Sequence, residues 1–190
     1  IIFLTSLFLS SYCYSSDITK YEIGPFSIGQ SLFDFVNEDQ IQFIKDDEQY
    51  PNDKFIRYDI SEILKVDGFD FVEIMTKKND SRYIIENISA GIHYDKLEEC
   101  LKIRKMMEEE IESIFDANEK QDAEFPSRQD KTGKSIIYAV QYYTKPYPSD
   151  EGITVGCYQM TEESNIQRSL RISVDSEEFS YFLINEAYKK

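Results

Sequence analysis

The sequence contains no tryptophan, a single histidine (His93) and three cysteines among its 190 residues. Zinc sites are usually built from several histidine or cysteine ligands, and this chain has few of either. It also lacks a CxxC pair, a GxSxG nucleophile turn, a phosphate-binding loop and a glycine-rich dinucleotide fingerprint. These absences disfavour thioredoxin-like, serine-hydrolase and nucleotide-binding chemistry. We therefore predict no metal, no cofactor and no motif-defined catalytic residue.

Positive charge is also scarce, because 21 Lys and Arg residues stand against 36 Asp and Glu residues and the formal net charge is -15. Such an acidic chain repels phosphate backbones and anionic membrane surfaces, which disfavours nucleic acid as a partner. Since 30% of the residues are charged, we expect no transmembrane span beyond the N-terminal segment. The chain is rich in tyrosine and phenylalanine. The predicted partner is therefore an unknown protein or a cationic ligand that meets an acidic, aromatic surface.

The N-terminal segment is apolar and carries no charged side chain before Asp17. Its hydrophobic run is too short for the roughly 20 residues that span a bilayer, but it has the length of a signal-peptide core. Small side chains at Cys13 and Ser15 predict cleavage after Ser15, and Ser11 with Cys13 offers a second site. We predict that residues 1–15 are a secretory signal remnant whose start precedes this sequence, and that the mature protein is periplasmic or secreted.

Two alternatives for this segment stay open. One is an amphipathic or buried first helix. The other is lipid attachment at Cys13, although Ser10 and Tyr12 stand where a lipoprotein signal prefers leucine and a small residue.

The two remaining cysteines, Cys100 and Cys157, make an even count for an oxidising compartment if Cys13 leaves with the signal. Cys100 lies on the apolar face of a helix predicted over residues 95–115. Cys157 shares a strand face with Ile153 and Val155, because side chains two positions apart point the same way. Both cysteines are expected to face the core, which predicts a disulfide. A pair of buried free thiols is the alternative.

Hydrophobic periodicity predicts an α+β fold. The predicted strands cover residues 21–28, 54–60, 70–77, 82–93, 135–144, 152–160 and 168–174. The predicted helices cover residues 31–36, 38–44, 95–115 and 175–188, and residues 116–134 are expected to form a mobile loop. Strands 70–77 and 82–93 are predicted to form a hairpin, in which Gly91 marks a bulge.

The order of these elements is a helix and three strands, twice, followed by a closing helix. It predicts an antiparallel sheet of about six strands with helices packed on one face, and it suggests a degenerate helix-plus-three-strand repeat. Residues 16–190 are assigned to a single α+β domain with possible halves 21–94 and 95–190.

His93 and Asp95 form the one candidate polar site, where a strand passes into the long helix. His93 is a candidate general base, with a hydrogen-bonded turn residue as the alternative. The carboxylates are abundant but occur in charge runs of the kind found on solvated surfaces. One segment, residues 116–120, begins like a calcium loop but has Lys120 where an oxygen ligand is required.

Several segments of the chain resemble a group of small exported proteins of unknown function from marine bacteria. The segments are FSIGQSL (26–32), LEEC (97–100), KTGKS (131–135), GCY (156–158), LRISV (170–174), EF (178–179) and NEAY (185–188). The resemblance implies a periplasmic setting, a paired Cys100 and Cys157, and no particular activity. The chain departs from the group at residues 158–160, where an Asp-Trp pair is expected.

These features together predict a non-enzymatic periplasmic binding or envelope-interaction protein that is stabilised by a disulfide. The alternative is a small periplasmic hydrolase that uses carboxylates or His93. A deep pocket with converging carboxylates would favour the hydrolase, whereas His93 held by the backbone would weaken it.

Overall fold

The computed structural model describes residues 17–46, 50–117, 119–144 and 151–189. Within these ranges the chain forms one eight-stranded antiparallel sheet, a two-stranded ribbon and three α-helices. The predictions for residues 1–15, including Cys13, lie outside the described residues. The calcium-loop candidate at 116–120 is described only in part.

The strands, numbered along the chain, are β1 (Glu22–Ile23), β2 (Phe26–Ser27), β3 (Lys45–Asp46), β4 (Phe55–Asp59), β5 (Phe71–Lys77), β6 (Ile85–His93), β7 (Glu119–Pro126), β8 (Ile136–Tyr143), β9 (Gly152–Gln159) and β10 (Ser169–Asp175). The α-helices are α1 (Glu38–Phe43), α2 (Leu97–Ile114) and α3 (Glu177–Asn185). Strands β1 and β2 form the ribbon, and the large sheet has the order β3-β4-β5-β6-β10-β9-β8-β7.

The large sheet consists of two four-stranded meanders that meet where β6 pairs with β10. Helix α1 precedes the first meander, α2 precedes the second, and α3 closes the chain. The α+β assignment and the antiparallel pairing are confirmed, including the hairpin of β5 with β6. The predicted count of about six strands is wrong, because the described sheet has eight.

The two missed strands are β3 and β7, the two edges of the sheet. Strand β3 has only two residues, too few to show a period. Strand β7 lies in the predicted mobile loop and has the polar sequence EKQDAEFP. An edge strand pairs on one side only, and charged side chains there protect it from pairing with other chains. The polar composition of β7 therefore led to the prediction of a loop.

Asp130 organises the turn that joins β7 to β8. Its carboxylate accepts hydrogen bonds from Ser135 Oγ at 2.6 Å and from the backbone N–H groups of Thr132 and Ser135. The Ser135 hydroxyl, with Thr132 and the two N–H groups, holds the pKa of Asp130 well below its ordinary value. The turn is thus built around a fixed carboxylate rather than being an open loop.

The two faces of the large sheet bury different side chains. The α2 face carries Ile56, Ile74 and Ile88, which belong to the main core together with residues of α1 and α2. The α3 face carries Phe55 and Met75, which pack against α3. The prediction that the helices share one face is therefore wrong. Strands β4 and β5 have apolar residues at both alternating sets of positions, so periodicity could not tell which face each helix covers.

The predicted disulfide pair joins α2 to β9 on the α2 face. The Sγ atoms of Cys100 and Cys157 lie at bonding distance, 1.98 Å apart, and both residues are fully buried. The prediction that both cysteines face the core is confirmed, and the short distance between them supports the predicted disulfide.

Gly91 has a packing role rather than the predicted bulge. The register irregularity of this hairpin lies instead between Met75 and Thr76. A Cβ atom at Gly91 would lie 2.3 Å from Cζ of Phe71 and 2.6 Å from the carbonyl oxygen of Leu170. The glycine thus lets the Phe71 ring pack directly against the backbone of β6.

Candidate functional site

A cavity of about 590 Å³ lies between the α3 face of the sheet, helix α3 and the C-terminal turn. Cavities of 300 to 1,000 Å³ are typical of small-molecule sites. The floor is formed by strands β5, β6, β8, β9 and β10. The roof is formed by α3 with Tyr50, Tyr188 and the segment 125–129. We call this space the α3 cavity.

A stripe of polar side chains crosses the floor of the α3 cavity. Strand register sets it, because Asn87 of β6 lies opposite Asp175 of β10 and Ser89 lies opposite Glu73 of β5. Arg171 lies on the same face as Asp175, since the two are four residues apart on one strand. These positions alternate with the core residues of the α2 face, so the strands place polar groups on one side and the main core on the other.

Glu73 is the centre of an ion cluster on this face. Its Oε1 accepts from Arg57 Nη1 at 2.8 Å, and its Oε2 accepts from Arg171 Nη1 at 3.2 Å. Arg57 also pairs with Asp46 at the end of the sheet. Only 9% of the Glu73 side chain is exposed, so both of its oxygens are engaged in a largely desolvated setting.

Arg171 lies between two aromatic rings. Its guanidinium carbon is 4.8 Å from the ring centre of Phe71 and 5.0 Å from that of Tyr158. Its Nε donates to Ser169 Oγ at 3.0 Å. Stacking, hydrogen bonding and the bridge to Glu73 together fix this cation in place and balance its charge.

Asp175 is the carboxylate on the floor whose hydrogen-bond partners are neutral. Asn87 Nδ2 donates to one carboxylate oxygen, and Ser173 Oγ lies 3.4 Å from the other. The residue is only 8% exposed. Burial raises the pKa of Asp175 to about 6, against the opposing effect of the two hydrogen bonds. Across the described ranges, no Lys or Arg side chain forms an ion pair with it.

Aromatic and aliphatic side chains form the other walls. Tyr50, Tyr158 and Tyr188 line the cavity, and burial raises the pKa of each phenol, which keeps the hydroxyls protonated. Phe125 and Ile184, which also line it, are 38% and 40% exposed. The α3 cavity thus combines a polar floor with apolar walls.

Comparison of this chain with known proteins supplies no function. No protein-family model, curated protein or solved structure matches this chain. None of the helices in the described part of the chain is long and apolar enough to cross a membrane. In that same part, no three His, Cys, Asp or Glu side chains are grouped as metal ligands would be.

The predicted polar site, His93 with Asp95, lies outside the α3 cavity. Both residues are exposed and line a separate shallow cleft together with Arg168. His93 Nδ1 is 3.3 Å from the Arg168 carbonyl oxygen, and the His93 backbone N–H donates to Asp70 at 2.7 Å. Arg168 Nη1 donates to the Asp95 carbonyl oxygen. His93 and Asp95 thus line one cleft, where the His93 ring contacts the backbone of Arg168. The pair Cys100 and Cys157 lies on the α2 face of the sheet, opposite the α3 cavity.

Four polar residues of the α3 cavity were not predicted from the sequence as site residues, namely Glu73, Asn87, Arg171 and Asp175. A usable signal was present, because each is a charged or amide side chain at an alternating position of an otherwise buried strand. The sequence pattern instead placed Asp175 at the start of the helix predicted over residues 175–188. In the structure Ser176 is the N-cap of α3, and its side chain accepts from the N–H of Phe179.

Replacing Asp175 by asparagine is expected to make the free protein more stable at neutral pH. The folded-state pKa of about 6 exceeds the ordinary value of 3.8, so the native state binds this proton more tightly than the unfolded state does. The contribution of Asp175 to stability is therefore largest at low pH and is lost as pH rises through 6. The advantage of the variant should grow from about pH 4 and approach about 3 kcal/mol above pH 6.

Urea unfolding of both proteins between about pH 4 and pH 8 measures this difference. The control is Asp122→Asn, since Asp122 is exposed on β7 and replacing an exposed side chain usually changes stability by no more than about 0.5 kcal/mol. A difference between Asp175→Asn and the wild type that does not grow between about pH 4 and pH 8 would contradict the prediction.

Proposed function

We propose that this chain is an exported, non-enzymatic binding protein that holds a small amphipathic ligand in the α3 cavity. The observation that carries the proposal is the division of the cavity into a polar floor and aromatic or aliphatic walls. Ligand sites are commonly concave, mostly apolar and supplied with a few converging polar groups. The volume of about 590 Å³ is large enough for a molecule with a polar head and an apolar body.

The N-terminal segment supports export, because it has the pattern of a secretory signal. The bonding distance between Cys100 and Cys157 is compatible with an oxidising compartment such as the periplasm or the cell exterior. The proposed location is therefore periplasmic or secreted.

The alternative of a small hydrolase has weaker support. Carboxylates do line the α3 cavity, but both oxygens of Glu73 are occupied by guanidinium groups. His93 lines a different cleft, with a ring nitrogen close to a backbone carbonyl. Among the described residues that line the cavity, Asp175 therefore has no second carboxylate beside it that is not already bound by guanidinium groups, which disfavours paired acid–base chemistry in this cavity.

A fluorescence titration with N-phenyl-1-naphthylamine tests the proposal. This neutral dye brightens in apolar sites, and we expect saturable binding of one dye per chain. Thr154 lies on the cavity floor opposite Ser173, so Thr154→Phe should fill space there and weaken dye binding at least about tenfold, or about 1.4 kcal/mol.

The matched control is Thr19→Phe, because Thr19 is exposed beside the core of the α2 face. This variant should bind the dye as the wild type does. No saturable binding, or equal binding by all three proteins, would overturn the proposal. The far-ultraviolet circular dichroism and urea midpoint of each variant establish that it is folded.

A further inference from the structure

Building on the proposed binding function, we infer that the ligand is a small organic ammonium ion. Its charged head pairs with Asp175, and its apolar body lies against the tyrosines and helix α3. The inference follows from the charges on the cavity floor, from the energetics of a buried carboxylate and from the aromatic walls.

The charges on the floor are matched except at one position. Glu73 binds Arg57 and Arg171, so the negative charge of Glu73 and the positive charge of Arg171 are used within the protein. Among the described residues, the hydrogen-bond partners of Asp175 are the amide of Asn87 and the hydroxyl of Ser173. Arg128 lies at the rim, where it is exposed, stacks on Tyr188 at 5.6 Å and is screened by water. The interior of the cavity therefore has one carboxylate without a cation.

A buried carboxylate without a cation is costly, because neutral hydrogen bonds replace only part of the hydration that it has lost. An ammonium group that enters the cavity would supply charge-assisted hydrogen bonds to Asp175. An anion would be repelled by Asp175 and would find Arg171 already bridged to Glu73. The same carboxylate that destabilises the free protein at neutral pH is thus a source of binding energy for a cation.

The walls suit an organic rather than an inorganic cation. Tyr50, Tyr158 and Tyr188 line the cavity, and aromatic rings attract organic cations within about 6 Å of the ring centre. Arg171 already shows that a cation can be held on the Tyr158 ring. Phe179 and Leu183 of α3 complete an apolar wall for the body of the ligand. The formal net charge of -15 would also draw cations toward the protein.

Three probes that share a phenyl ring and a short chain test the inference. They are 2-phenylethylammonium, neutral 2-phenylethanol and anionic 3-phenylpropionate, and each is used to displace N-phenyl-1-naphthylamine at about pH 7.5. We expect the ammonium probe to bind at least about tenfold more tightly than the alcohol, because the ammonium group forms an ion pair with the Asp175 carboxylate whereas the neutral hydroxyl can only donate a hydrogen bond to it. The carboxylate probe should bind more weakly than the alcohol.

In Asp175→Asn, the ammonium probe should bind no more tightly than the alcohol. Asp122→Asn, which removes an exposed charge from β7, should retain the full ammonium preference. An ammonium affinity no greater than that of 3-phenylpropionate in the wild type, or a preference that survives Asp175→Asn, would overturn the inference.

The dye separates the two proposals. If the neutral dye binds and Thr154→Phe weakens it, but no ammonium preference is found, the cavity binds ligands and the inferred class is wrong. If the dye itself does not bind, the proposed function fails.

Discussion

Replacing Cys100 and Cys157 together by alanine is expected to lower the free energy of unfolding by about 4 kcal/mol. The two residues are 57 positions apart, and their bond removes the loop-closure entropy of that segment from the unfolded chain. Alanine is the appropriate substitution, because both sites are fully buried and a serine hydroxyl would need a partner there. Urea unfolding measures the loss directly, and the melting temperature should fall by roughly 10 °C.

Reduction of the wild type provides the control for this prediction. Excess dithiothreitol should lower the stability of the wild type nearly to that of the double alanine variant and leave the variant unchanged. A variant as stable as the oxidised wild type, or one equally sensitive to dithiothreitol, would show that the bond does not stabilise the fold.

The position of the cysteine pair predicts that its loss changes the stability of the protein but not ligand binding in the α3 cavity. It joins α2 to β9 on the α2 face, whereas the α3 cavity lies on the other side of the same sheet. Where the double alanine variant is folded, its affinity for N-phenyl-1-naphthylamine should equal that of the wild type. The two faces of the sheet are therefore expected to have different roles, one in stability and the other in binding.

Local sequence pattern predicted the elements whose periods are complete. Helix α2 has 18 residues with a regular apolar stripe, and strands β5 and β6 are extended runs of seven and nine residues rich in apolar side chains. The prediction that Cys100 and Cys157 face the core followed from the helical period around Cys100 and the two-residue strand period around Cys157. Strand β3 failed because it has two residues, and β7 because an edge strand of this sheet can be polar at almost every position.

The candidate site depends on pairing that local pattern does not contain. Asn87 and Asp175 are 88 positions apart and become neighbours only because β6 pairs with β10. Glu73 and Arg171 are 98 positions apart and meet on the same face. Alternation could show that each faces away from the main core, but it could not show which strands are adjacent or that α3 covers them.

The second large effect is expected at Glu73, where replacement by glutamine should cost about 3 kcal/mol of stability. The amide keeps the size of the side chain but removes the charge that holds two guanidinium groups in a largely buried place. Arg57 retains Asp46, so the main loss falls on Arg171, which keeps only Ser169 and its two rings. Urea unfolding of Glu73→Gln measures the cost.

Glu163→Gln is the matched control, because Glu163 bridges Lys134 at 2.8 Å with 59% of its side chain exposed and should contribute no more than about 1 kcal/mol. Equal, small losses in both variants would contradict the role given to Glu73. Replacing Arg171 by methionine in the Glu73→Gln background should restore part of the stability, because it removes the unpaired charge that the first substitution leaves behind.

Glu73→Gln alone should also weaken the binding of 2-phenylethylammonium and strengthen the binding of 3-phenylpropionate. The reason is that the positive charge of Arg171, no longer balanced by Glu73, then offsets the negative charge of Asp175 on the cavity floor. Glu73→Gln thus tests whether Glu73 only stabilises the fold or also determines whether the cavity prefers a cation or an anion.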